Sequence, residues 1–219
     1  MIKYVLFDLD GTLLSTLETI TYHLNNTISS LSLGEVTLED TRRFIGNGAR
    51  KLGSRALEKN GISDEGTVNE VLALYNRSYD ADPLPHTHPY EGVAELVDAL
   101  WQRGVTLGVV TNKPEPTAIK LVESFFPGKF AFVRGCKEGI ALKPDPKEAL
   151  TLLNGVGGKP SECAFIGDTD VDIYTGKNMG AALSIGVKWG FRPETELSGA
   201  GADLVLGTAS EVLKAIISA

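Results

Sequence analysis

The sequence predicts an α/β protein: a doubly wound parallel sheet, Rossmann-like, with a small α-helical cap domain inserted after its first strand. Three observations predict it. Strand-like and helix-like segments alternate from Glu91 to the C-terminus, the pattern of parallel strands joined by helical crossovers. A block from Ser15 to Asp82 reads as helices alone and interrupts that alternation. Polar clusters stand at the ends of three apolar strands and at the start of one helix, and open α/β sheets bind ligands beyond the carboxyl ends of their strands. The expected division is a catalytic core of residues 1–14 and 83–219 and a cap of residues 15–82.

Ile2 to Phe7 is a short apolar run of β-formers, as in a strand buried on both faces. It ends at Asp8-Leu9-Asp10-Gly11-Thr12. Four helices are expected next. Leu17, Ile20, Leu24 and Ile28 mark the first, and Leu38, Phe44 and Ile45 the second. Leu52, Ala56 and Leu57 mark the third, and Val68, Val71, Leu72 and Tyr75 the fourth. Gly34, Gly46-Asn47-Gly48 and Gly61 supply the breaks. After the Pro-rich return at Asp82–His86, a helix is expected over Glu91–Arg103 and a strand over Val105–Val110, ending at Thr111-Asn112. Then come a helix over Thr117–Phe125, a strand over Phe130–Val133 and a helix from Pro144 through Leu153. Cys163–Ile166 is a strand ending at Gly167-Asp168, and Tyr174–Met179 a short helix. Strands at Ala181–Ile185 and Leu204–Leu206 precede a last helix over Glu211–Ile217.

Composition bounds the partners. The 219 residues are 42% apolar, sufficient for a real core. With 21 Lys and Arg against 28 Asp and Glu, the net charge is −7. That argues against a nucleic-acid partner, which needs a basic surface. Cys136 and Cys163 are too few for a disulfide scaffold and read as free thiols. No secretory signal opens the chain, and no apolar run nears the roughly 18 residues of a membrane span. The expectation is a cytoplasmic protein without membrane partners, a monomer or a homodimer.

The clusters carry the chemistry. Asp8 and Asp10 are two apart, so extended backbone points both carboxylates the same way. They repel, and desolvation penalises both. A divalent cation relieves this, and Mg²⁺ takes oxygen ligands from one or two carboxylates and a phosphate. Asp168, with Asp170 and Asp172 more remote, completes the acidic side. Opposite stand the Thr111 hydroxyl, the Asn112 backbone N–H and the Lys143 ammonium of Lys143-Pro144-Asp145-Pro146. Such a set suits phosphoryl transfer, where positioning and electrostatics carry most of the catalysis. Each piece alone has a plain reading, as turn, helix cap or solvated charge. Their ordered recurrence is the specific signal.

Asp8–Thr12, Val110-Thr111-Asn112, Lys143–Pro146 and Gly167–Asp172 resemble the four motifs of the haloacid dehalogenase superfamily of phosphatases. Arg43–Gly48, Thr111-Asn112-Lys113 and Trp189-Gly190 are most similar to its phosphoglycolate phosphatases. The resemblance implies that Asp8 is the nucleophile forming an aspartyl-phosphate and that Asp10 is the general acid and base. It implies Mg²⁺ held by Asp8, the Asp10 carbonyl and Asp168, with Asp172 orienting ligands, waters or Lys143. Thr111, Asn112 and Lys143 would hold the phosphoryl oxygens. Asp10 separates a phosphatase from a dehalogenase, which lacks that acid and needs no Mg²⁺.

In the cap, Gly46, Asn47 and Gly48 read either as a helix stop and turn or as a loop that brings backbone N–H groups to a substrate anion. The resemblance favours the loop. Arg43 and Arg50 flank it and either pair with a substrate carboxylate or are solvated. Ser15-Thr16 departs from the Asp-Ser or Asp-Thr pair of many relatives. The expected substrate is a small phosphorylated metabolite, 2-phosphoglycolate first, with pyrophosphate, sugar phosphates and nucleotides as rivals. A β-phosphoglucomutase-like mutase ranks lower, because His23 falls one turn late and Ile20 stands nearer the expected place. A phosphate-accepting signalling module needs neither Asp10 nor a lid.

Overall fold

The computed structural model describes residues 1–219. Six parallel strands form the sheet: β1 (Tyr4–Phe7), β4 (Thr106–Pro114), β5 (Phe132–Cys136), β6 (Cys163–Gly167), β7 (Leu183–Val187) and β8 (Leu204–Leu206). Their order is β5-β4-β1-β6-β7-β8. The chain therefore winds outward in both directions from β1, and the switch point lies at the end of β1, between β4 and β6. That is where such sheets bind ligands.

Side chains alternate between the faces. Val5 and Phe7 of β1 join Leu107 and Val109, Ala164 and Ile166 in the larger core cluster. It is covered by α5 (Val93–Gln102), α6 (Glu115–Phe125) and α10 (Ala209–Ser218). Leu6, Val110 and Phe165 point the other way, under Ala149 and Leu153 of α7 (Lys147–Gly155) and under Met179, which follows α8 (Asp170–Asn178). Both faces are buried, as apolar parallel strands require.

The insert is α1 (Leu17–Ser30), α2 (Leu38–Phe44), α3 (Ala49–Lys59) and α4 (Glu65–Ala81). These helices pack on a core of their own around Leu24, Ile28, Leu57 and Val71. Thr37 and Asp40 start α2 with a reciprocal capping box. Where the chain leaves and re-enters the sheet domain, β2 (Leu14–Ser15) and β3 (His88–Pro89) pair antiparallel and hold the two linkers side by side. Two-residue strands leave no periodicity to read, and neither was expected.

Other departures have local causes. Phe130 was expected in a strand, but its ring packs edge-on against Phe7 and Phe126, and pairing begins at Phe132. β4 runs past Val110 through Thr111, Asn112 and Lys113, because β5 still pairs it at Pro114 after a register shift. α8 starts at Asp170, before the expected Tyr174, since Thr169 and Asp172 form a capping box. A six-residue helix, α9 (Glu194–Gly199), was not expected. Both cysteines are free. No helix is long and apolar enough to cross a membrane.

Candidate active site

Strand order brings the clusters together. Asp8 and Asp10 follow β1, Thr111 to Lys113 end β4, and Asp168 follows β6, all on neighbouring strands. Lys143 comes from the segment between β5 and α7 and is pinned by Asn112: its backbone N–H donates to Asn112 Oδ1 (2.9 Å), and Asn112 Nδ2 donates to its carbonyl (3.2 Å). A cavity opens here between sheet and cap. Asp8, Asp10, Thr111, Asn112, Lys113 and Lys143 line it from below. Ile20, Gly46, Gly48, Tyr75, Asn76 and Tyr79 line it from the cap.

Lys143 Nζ lies 2.6 Å from Asp172 Oδ1 and 2.8 Å from Asp8 Oδ1. The Asp172 contact is a hydrogen bond. The Asp8 contact lacks hydrogen-bond direction, and Asp8 Oδ1 is buried with no other partner. Asp172 Oδ2 accepts from the Thr169 backbone (3.0 Å) and hydroxyl (2.7 Å). Asp168, wholly buried, accepts from Thr12 Oγ1 and from the Phe191 N–H, both at 2.8 Å. Carboxylate oxygens of Asp8, Asp168 and Asp172 lie within 4.8 Å of one another.

Three buried carboxylates thus face one ammonium, a formal excess of two negative charges. Burial pushes the Asp8 carboxyl up to about 6, against the pull of Lys143 and with a further push from Asp172. Burial, then the charges of Asp172 and Asp8, hold Asp168 well above the usual carboxylate range. For Lys143 burial acts downward, but Asp172 and Asp8 outweigh it and its pKa is raised. A buried Asp8 oxygen that meets only the Lys143 charge, an all-oxygen donor set and a formal excess of negative charge fit a hard divalent cation. Asp172 has both oxygens engaged, by Lys143 and Thr169, and Asp168 accepts one hydrogen bond on each oxygen, from Thr12 and Phe191; Asp8, which accepts none, is the freest of the three to ligate. Backbone packs flush against Asp168: a Cβ on Gly11, which has φ +88°, would stand 2.3 Å from Asp168 Oδ2, and one on Gly190 would stand 2.3 Å from its Cβ.

Several residues of the quoted motifs have contacts that their spacing did not assign. Lys113 Nζ donates to Asp10 Oδ1 (3.0 Å) and Oδ2 (3.1 Å) and to Tyr79 of the cap (3.0 Å). The signal was present, because Thr111 and Lys113 are two apart on one strand. Thr12 and Gly190 stand in the quoted Asp8–Thr12 and Trp189-Gly190 segments but had no role assigned, and Phe191 left no signal; all three hold Asp168.

The cap residues divide. Gly46 and Gly48 face the cavity, and the Gly46 carbonyl accepts from Asn112 Nδ2 at 3.1 Å. Gly48 caps the N-terminus of α3, which opens on the cavity beside Ala49. Asn47 and Arg43 do not reach it. Asn47 Oδ1 accepts from Arg55 (2.9 Å), and Arg43, 65% exposed, pairs with Asp40 (3.2 Å) one turn back on α2. Arg50 pairs with Glu65 on the surface.

Ile20, not His23, stands at the cavity wall. His23 is buried: its Nε2–H donates to the Asp82 carbonyl (2.9 Å), and Nδ1 is hydrogen-bonded to Ser78 Oγ (2.8 Å). The Asp82 carbonyl can only accept, so Nε2 carries a proton. Burial lowers its pKa below 6.5, with Asp82 acting upward and Lys113 downward. The unfolded chain therefore takes up the proton first, and stability falls as pH drops through 6.5 towards the folded value. Asp8, raised to about 6, acts the other way over part of this range, so the test is the difference between the two proteins: from pH 8 to 5.5 the denaturant midpoint should fall more, or rise less, in wild type than in His23→Gln. An equal slope in both proteins would contradict the assignment.

The comparisons agree with this geometry. Residues 5–185 match the family model of haloacid dehalogenase-like hydrolases. A phosphoglycolate phosphatase of Agrobacterium fabrum is 34% identical over 188 residues, 85% of this chain and 80% of that protein. One from Aquifex aeolicus is 30% identical over 213 residues, 97% of this chain and 95% of that protein. A crystal structure of a protein from Lactobacillus delbrueckii subsp. bulgaricus superposes with a TM-score of 0.92 at 32% identity and 98% coverage of both chains. With a switch-point cavity floored by Asp8, Asp10 and Lys143 and a family match over most of its length, the chain belongs to the haloacid dehalogenase-like hydrolases.

Proposed function

We propose that the protein is a Mg²⁺-dependent phosphomonoesterase that hydrolyses a small phosphorylated metabolite, 2-phosphoglycolate first among candidates. The observation that carries this reading is the Asp8–Lys143 pair on the floor of the cavity between sheet and cap, with Asp10 beside it on Lys113.

Asp8 is the nucleophile. Its carboxylate oxygen forms a bond to phosphorus as the ester oxygen leaves, and Asp10 gives that oxygen a proton. Asp10 then takes a proton from water. The water oxygen bonds to phosphorus, and the Asp8–phosphorus bond breaks to return the free carboxylate. Thr111 Oγ, the Asn112 N–H and Lys143 hold the non-bridging oxygens. Lys113 holds Asp10 in place between its two proton transfers. Asp8, the Asp10 carbonyl and Asp168 would hold Mg²⁺, and Asp172 orients Lys143. The ion, when bound, supplies positive charge to the phosphoryl oxygens and offsets that of the carboxylates.

Two features favour a small substrate with a second anionic end. The cavity is small, about 60 Å³. The N-terminus of α3 opens on it at Gly48 and Ala49 without an acidic residue in its first turn, a setting suited to a carboxylate. The relatives from Agrobacterium fabrum and Aquifex aeolicus are both phosphoglycolate phosphatases. Phosphate release from a panel of 2-phosphoglycolate, pyrophosphate, sugar phosphates and nucleotide monophosphates, with Mg²⁺ or EDTA, tests the reading. The expected order places 2-phosphoglycolate first in kcat/KM, with nucleotides at least about 100-fold lower, the scale of losing well-placed polar contacts. No Mg²⁺-dependent release from any compound, or transfer to a sugar hydroxyl in place of water, would overturn it.

A further inference from the structure

We propose that residues 189–192 form a strap that couples seating of the cap to seating of the metal-side carboxylate Asp168, with Arg192 as its positioning residue. The strap belongs to the sheet domain, following β7. Trp189, Gly190 and the Phe191 backbone face the sheet domain, whereas the Phe191 ring and Arg192 face the cap. The Trp189 indole N–H donates to the Thr12 carbonyl (3.0 Å), and Thr12 in turn holds Asp168. Gly190 lies against Asp168, and the Phe191 N–H donates to it. The Phe191 ring, however, is buried in the apolar core of the cap with Leu17, Ile45 and Tyr79.

Arg192 completes the span. Its Nη1 donates to the Arg42 carbonyl (2.6 Å), and its Nη2 to the carbonyls of Ile45 (2.7 Å) and Arg43 (3.4 Å). These acceptors close α2, whose last carbonyls have no partner within the helix. Arg42 answers by donating to the Gly190 carbonyl (3.3 Å). Ile45 directly precedes Gly46 and Gly48, the loop facing the cavity. A guanidinium can fork across several carbonyls where an ammonium cannot. A cap that lifts must therefore pull the Phe191 ring from its core and free the Arg192 fork, moving the backbone that fixes Asp168. Seating of Asp168 and seating of the cap are then linked, and linkage is reciprocal.

The inference rests on the Mg²⁺ reading above. In wild type, adding MgCl₂ without substrate should slow hydrogen exchange of backbone amides over residues 42–48. Arg192→Ala should lose that slowing and bind Mg²⁺ about 10-fold more weakly by calorimetry. Arg192→Lys should fall between the two. Glu196→Gln removes only the outer ion pair of Arg192 (3.1 Å) and should keep wild-type affinity within twofold. Thermal unfolding of each variant shows whether it is folded, and Phe191→Leu gives a second route to the same weakening should Arg192→Ala not fold. Unchanged Mg²⁺ affinity in folded Arg192→Ala or Phe191→Leu overturns the coupling and leaves the phosphatase reading standing. Wild-type protein that binds no Mg²⁺ overturns the coupling, and the substrate panel then decides the phosphatase reading separately.

Discussion

Asp8→Asn should abolish phosphate release, by at least about 10⁴-fold in kcat, the scale set by loss of a nucleophile in hydrolases that form a covalent intermediate. The amide keeps the size of the side chain but is a poor nucleophile. The same change should raise the melting temperature of metal-free protein near pH 7.5. Asp8 is one of three crowded carboxylates, and burial already raises its pKa to about 6, so its charge opposes folding once pH exceeds that range. Lys143 keeps Asp172 as its hydrogen-bonded partner in the variant. Mg²⁺, in contrast, should stabilise the variant less than wild type, since one ligand is gone. Activity measurements and paired melts with EDTA and Mg²⁺ check both halves. Residual activity above a hundredth of wild type would contradict the assigned nucleophile.

Lys143→Ala should damage both folding and catalysis. The ammonium is 4% exposed and is the cation that touches Asp8 and Asp172. Removing it leaves buried carboxylates uncompensated, a loss of about 3–5 kcal/mol for a broken buried pair. For a chain of this size that is on the order of 10 °C in melting temperature. The raised pKa of Lys143 means its contribution is fully present below 10.5, so the loss should hold across neutral pH. Activity should fall by about 10³-fold, the scale of losing one preorganised partner for developing charge. Lys143→Met combined with Asp172→Asn removes both charges and should recover most of the stability but little activity. A double variant as unstable as the single one would contradict the electrostatic account.

Three of the four polar clusters were legible because each ends an apolar run. Asp8 and Asp10 follow Ile2 to Phe7, Asp168 follows Cys163 to Ile166, and a doubly wound sheet places such ends together. What the sequence hid were contacts without a local period. Tyr79 meets Lys113 across 34 residues, and Arg192 meets Ile45 across 147. No spacing rule reaches that far. Lys113 stood in the quoted Thr111-Asn112-Lys113 segment, but its pairing with Asp10 went unassigned because β4 was expected to stop before it. The start of α8 was hidden by its own acidity: Asp170 and Asp172 resemble a metal loop, while Thr169 and Asp172 make a helix cap. Arg43 and Asn47 were placed near the substrate by adjacency to Gly46 and Gly48. The last turn of α2 instead directs Arg43 back to Asp40.

The account turns on a covalent bond between Asp8 and the phosphoryl group. A single-turnover reaction with ³²P-labelled 2-phosphoglycolate and Mg²⁺, quenched in acid at successive times, tests it most directly. The account predicts label that rises and then decays as phosphate appears, carried on the tryptic peptide spanning residues 4–42 and removed by hydroxylamine, as an acyl phosphate on Asp8 requires. Phosphate appearing at the full turnover rate with no labelled protein at any time, or label on a residue other than Asp8, would contradict it.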